Sequence, residues 1–150
     1  MTLQWQSSVI TQAVVDLLTT NHVPQDIRYM YYGDQARIPE VPSAAAMSGP
    51  RNREFNQTGL QYEMVIVTYV MVYHGLIGDL QTLTKGAEEL IESLEATLNA
   101  ARKLPDSDGA AQIVHGVVSN VEPGFAERGK ALFVVHRMTH TAISRHQVGL

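Results

Sequence analysis

The chain contains no cysteine, which excludes disulfide staples, thiolate zinc sites and cysteine nucleophiles and fits a reducing cytoplasm. Charge is scarce too. Asp, Glu, Lys and Arg make up 17% of the 150 residues, against about 25% in an average soluble protein. A small domain has much surface for its volume, so low charge points to surface covered by other subunits. The net charge is −4, so a basic face for avid nucleic-acid binding is not expected. No apolar run approaches the ~18 residues of a membrane helix, and residues 1–8 lack the basic and apolar regions of a signal peptide. Catalytic signatures are missing as well. There is no Gly-x-Ser-x-Gly, no Walker lysine in a glycine-rich loop and no His-Glu-x-x-His.

What the sequence does have is one long stretch, 60–74, rich in β-branched and aromatic residues and free of Gly and Pro. It reads as a strand. Met64, Ile66, Thr68, Val70 and Val72 alternate with Val65, Val67, Tyr69, Met71 and Tyr73, so both faces are apolar in its second half. At about 3.3 Å per residue it spans roughly 50 Å, more than the ~40 Å diameter of a domain this size. Length and two-sided apolarity together imply a sheet completed by a neighbouring subunit.

The other elements fall around this strand. Val9, Ile10, Ala13, Val14, Leu17 and Leu18 form a helical stripe, halted by Asn21 and Pro24. Residues 27–32 read as a short strand. Residues 34–58, punctuated by Pro39, Pro42, Gly49 and Pro50, read as a long loop or docking arm. Ala87, Leu90, Ile91, Leu94, Leu98 and Ala101 predict a second helix, closed by Pro105. Residues 111–121 read as a third strand, 122–129 as a hairpin connection and 130–145 as a long fourth strand. The expected fold is a single α+β domain over 1–150, element order α-β-β-α-β-β. Its sheet is mostly antiparallel and four-stranded, with two helices packed on one face.

Six histidines are present, and His136 and His140 share a face of the last strand. Four residues of strand separate them by about 13 Å, so a metal site would need His74 or His115 from a neighbouring strand plus a carboxylate. Their simpler role is as half-buried or interface side chains, and neither cofactor nor metal is expected. Glu88, Glu89, Glu92 and Glu95 read as a solvated helix face. Tyr29, Tyr31 and Tyr32 lie beside Arg28 but lack the basic aromatic pattern of RNA-binding strands.

In its element order the chain resembles the tail terminator, or tail completion, proteins of long-tailed bacteriophages with non-contractile tails. The features that carry this are the short N-terminal helix and the long loop bearing Arg37, Arg51 and Arg53. With them go the strand ending Val-Tyr-His-Gly75, the Glu-rich helix ending Ala-Ala-Arg-Lys-Leu104, and the last strand Phe-Val-Val-His-Arg-Met-Thr-His-Thr-Ala-Ile143. The resemblance implies a non-enzymatic virion protein, assembled in the host bacterial cytoplasm and placed at the tail–neck junction. It would form a hexameric homo-oligomer that ends polymerisation of the tail tube protein and meets the head–tail connector. DNA would pass through the ring without sequence-specific binding. The residues expected at subunit or tube interfaces are Arg37, Arg51, Arg53, Tyr69, Met71, Tyr73, Phe125, Arg128, His136 and His140. Two alternatives stand beside this reading: a stopper or adaptor ring of the head–tail connector, and a small metal-dependent oligomeric enzyme using His115 and His136.

Overall fold

The computed structural model describes residues 7–55, 61–76, 80–101 and 113–147. In chain order these form α1 (Ser7–His22), β1 (Met30–Tyr32), β2 (Ser43–Phe55), β3 (Gln61–Leu76), α2 (Leu80–Ala100), β4 (Ile113–Arg128) and β5 (Ala131–Gln147). The strands make one five-stranded sheet in the order β1-β2-β3-β5-β4. The β1–β2 pair is parallel and the other three pairs are antiparallel.

This corrects the expected four-stranded sheet and the order α-β-β-α-β-β; the order is α-β-β-β-α-β-β in a mixed sheet. The strand missed by the sequence reading is β2, inside the supposed loop 34–58. Its first half, Ser43 to Ala46, is fully buried, and alanines are small enough to be covered on both faces. A run of alanines has no polar–apolar alternation, so no period announces a strand. Pro50 falls where the register with β3 slips, between Ser48 and Arg51. β1 reaches only Ala44 to Ala46, so Pro50 sits on an open edge, where a missing N–H breaks no ladder.

The 122–129 connection is corrected in the same way. β4 runs on to Arg128, and the turn is Gly129-Lys130 between the paired Arg128 and Ala131. Gly129 has φ +66° and Lys130, like every other described residue that is not glycine, has negative φ, the pattern of a type II′ hairpin turn. Pro123 is tolerated because β4 is an edge strand. Pro105, expected to end α2, lies outside the described residues.

The two helices do lie on one face. Ile10, Val14 and Leu18 of α1 and Ile91, Leu94 and Leu98 of α2 are buried in one cluster with Ala44, Ala46, Met64, Ile66, Val70, Val72, Met138 and Ala142. These sheet residues occupy alternate positions, as a pleated surface with one covered face requires. At the C-terminal end of α1, His22 bonds Asp26 through Nδ1 and Thr97 of α2 through Nε2, each at 2.6 Å.

The second face is partly roofed by the chain itself. The connection from β1 to β2 crosses it as a strap, residues 33–42, and buries Ile38 against Ala45, Tyr73, Phe133 and Val135. The strap is fastened at Asp34, which accepts from Arg128 Nε at 3.1 Å and from the Tyr73 hydroxyl at 3.4 Å. Both ionic partners are part-exposed, at 21% and 52%, so the pair adds little. Asp34→Ala is expected to cost about 0.5–1 kcal/mol in urea denaturation.

Gly49 marks a close approach on the same face. A Cβ there would lie 2.8 Å from Tyr69 Cε2, 3.0 Å from Val67 Cγ1 and 3.1 Å from the Val67 carbonyl oxygen. The Tyr69 ring thus covers a strand glycine, a pairing that supplies the apolar contact glycine lacks. The ring edge can swing aside but the carbonyl cannot. Gly49→Ala is therefore expected to destabilise by about 1–3 kcal/mol, measured by thermal denaturation.

Candidate interaction surface

Beyond the strap, the second sheet face has no layer over it among the described residues. Met47 of β2, Val65, Val67, Tyr69 and Met71 of β3 and Ile143 of β5 stand there half-buried. Neighbouring side chains hide part of each, but neither helix reaches this side. Towards β4 the face turns polar. Ser119 bonds the Thr141 hydroxyl at 2.9 Å and donates to the Thr139 carbonyl. Arg137 donates to Glu122 at 2.9 Å and lies over the Tyr69 ring, 4.9 Å from its centroid. The result is an apolar strip along β3 with one cation–π lid and a polar border, the composition expected of an interaction surface.

A second apolar patch lies on the β4–β5 hairpin. Phe125 is 59% exposed and Leu132 40%. Phe125 falls on the same side of β4 as Val121, which packs under the helices, but it lies beyond their reach.

The residues singled out from sequence do not form one site. Tyr73 is fully buried beneath the strap, edge-on to Phe133 with centroids 5.7 Å apart; burial pushes its hydroxyl pKa up. Tyr69 and Met71 belong to the open strip. Arg128 is tied to Asp34 and lies 5.7 Å from the centroid of Tyr73. Arg37 is exposed on the strap beside Gly129, and Arg51 is exposed on β2. Arg53 pairs with Met64 in the β2–β3 ladder, and its side chain is outside the described ones. Phe125 is on the hairpin.

His136 and His140 are on the helix side, away from the strip. His136 Nδ1 and His74 Nε2 share a hydrogen bond at 2.8 Å with the rings edge to face. Burial, with help from neighbouring His136, holds the pKa of His74 down to about 4. Burial also lowers that of His136, against an opposing pull from Glu88. Spacing along the chain gave no hint of this pair, because its members are brought together by the β3–β5 register. No group of three or more His, Asp or Glu among the described residues could hold a metal, and the side chain of His115 is not among them. A cavity of about 420 Å³ opens beside His74, between Asp26, Glu89, Leu90 and Ser93. It has two carboxylates on its walls and no nucleophile paired with a base.

The molecule is thus an α+β sheet protein with one roofed face and one part-open face. It shares this fold with a chain of a solved structure described as the virion of a native gene transfer agent (GTA) particle. The TM-score is 0.61 at 13% sequence identity, covering 92% of this chain and 96% of that one. No family model matches the sequence, and no curated protein does. No helix among the described residues is long and apolar enough to cross a membrane.

Proposed function

We propose that this chain is a non-enzymatic virion structural protein that closes into a ring through the apolar strip of its second sheet face. The observation that carries the proposal is that strip, Val65 to Met71, which no layer of the described residues covers, the two helices both lying opposite. A part-exposed apolar strip of this kind is ordinarily an interface, and copies of one chain normally close into point-group symmetry. The fold shared with a chain of a virion particle supports the setting.

Within that setting the role is that of a tail terminator, the family whose texture the sequence resembles. The ring caps the head-proximal end of the tail tube, stops its growth and offers its other side to the head–tail connector. Its place is the tail–neck junction, with DNA passing through the lumen. Phe125 and Leu132 on the hairpin, and Arg51 on the β2 edge, are available for tube contacts.

The test is to add the purified protein to a polymerising tail tube subunit and image the products. A terminator gives tubes capped at one end and arrested in length. Capture by DNA-filled heads, with the tube ignored, would instead make the chain a connector ring, and binding to neither would refute the reading.

A further inference from the structure

The helix-facing side of the sheet carries an unexpected polar row. Ser48 of β2, Thr68 of β3 and His140 of β5 stand in register across three strands. Ser48 shares a hydrogen bond with Thr11 of α1 at 2.9 Å. Thr68 Oγ1 and both ring nitrogens of His140 are fully buried without a hydrogen-bond partner among the described residues. Leaving a buried polar group unpaired costs about 1–3 kcal/mol, and burying an unpaired charge costs far more. His136, on the same face of β5, is bonded to His74. Among the described side chains, His74, His136 and His140 therefore lie on the helix-facing side of the sheet.

Among the described residues nothing offers His140 a counter-ion. β4 presents Val118 in register with it, and the described buried residues of α1 and α2 are apolar apart from Thr11, which bonds Ser48, and His22, which bonds Asp26 and Thr97 at the C-terminal end of α1. The charged groups of the helices point elsewhere: Asp16, Lys85, Glu88, Glu89 and Glu92 are exposed and Glu95 is half-exposed. Glu88 bears on His136, Asp26 and Glu89 line the cavity beside His74, and Asp26 is engaged by His22. On the strands, Arg137 is paired with Glu122, and by alternation Arg137 and Glu63 belong to the opposite face. A proton placed on His140 would be a charge with nothing to answer it.

We propose that the two-helix layer is an acid-releasable cover: protonation of His140 and of the His74–His136 pair lifts α1 and α2 from a sheet whose strands stay paired. The asymmetry comes from how the layers are held. The strands are joined by long backbone ladders, interrupted only at local register shifts. The helices are held to them by apolar packing and side-chain ties such as Thr11 to Ser48 and the Val118 N–H to Asn99 Oδ1 at 2.8 Å. Burial keeps His74 and His140 neutral down to about 4, below the ordinary 6.5. Between those values the open chain binds protons that the closed one refuses. Stability is therefore flat above pH 6.5 and falls as pH drops through that window. The device belongs to the single chain and does not depend on assembly.

Hydrogen–deuterium exchange on the full chain at pH 7 and pH 5, corrected for intrinsic rates, tests the separation. Amides of α1 and α2 are expected to lose protection by roughly five-hundredfold relative to those of β3 and β5, two protons, on His74 and His140, being taken up per opening. Helix and strand protection falling together, or neither falling, overturns the proposal. His140→Met removes one of the protons, so the opening constant is expected to change roughly tenfold per pH unit instead of roughly a hundredfold. An unchanged pH dependence in that variant also overturns it. Should the variant not fold, the imidazole resonances of the wild-type protein decide: a His140 ring that titrates near its ordinary value contradicts the proposal, and one that stays neutral to pH 5 upholds it.

Discussion

Val67→Glu is expected to weaken self-association by at least about thirtyfold while leaving the subunit folded. Val67 is half-buried in the middle of the β3 strip, on the face without helices. In the free subunit a glutamate there can reach water, and substitutions at such positions typically stay within about 0.5–1 kcal/mol. In the assembly it would be buried unpaired, which costs about 2–5 kcal/mol, and each ~1.4 kcal/mol is tenfold in affinity. Light scattering of variant and wild type reads the association, and a thermal melt reads the subunit. A variant that scatters like the wild type would move the interface off this face.

The second large effect belongs to Tyr73. Its ring is wholly buried between the strap and the sheet, against Phe133 and Ile38. Its hydroxyl makes a long bond, 3.4 Å, to Asp34 and also interacts with Arg128, both of them part-exposed side chains. Apolar contact therefore outweighs the hydroxyl. Tyr73→Ala is expected to destabilise by about 3–5 kcal/mol, as for other large aromatic truncations, and Tyr73→Phe by no more than about 1 kcal/mol. Urea denaturation of the two variants separates them. Equal losses would mean that the Asp34–Tyr73–Arg128 contacts, and not packing, hold the strap down.

Much of the fold is legible in the sequence where size and polarity alternate. α2 shows its stripe of Ala87, Ile91, Leu94 and Leu98 because glutamates fill the positions between. β3 and β5 show themselves through β-branched runs. β2 does not, because Ala44 to Ala46 are uniform and Gly49 and Pro50 resemble a turn. What rescues that segment is tertiary: the Tyr69 ring laid over Gly49, and an open edge that has no use for the N–H of Pro50. Pro123 and Gly124 mislead for the same reason, since an edge strand tolerates a proline that a central strand would reject.

The candidate surface was half legible. Two-sided apolarity of 60–74 announced an open face, and Val65, Val67, Tyr69 and Met71 do lie on it. The strap over Tyr73 was hidden, because its one buried anchor, Ile38, stands alone among prolines and charges. The histidine pair and the buried row at His140 depend on register between strands 62 and more residues apart in the chain, which no local pattern encodes.

Sedimentation of the wild-type protein across the micromolar range tests the central claim most directly, namely that one chain leaves the β3 strip for copies of itself to cover. The account predicts a discrete particle several times the 16.5 kDa of one chain, six times if the ring follows the tail-terminator pattern. A single species of one-chain mass at every concentration would contradict it.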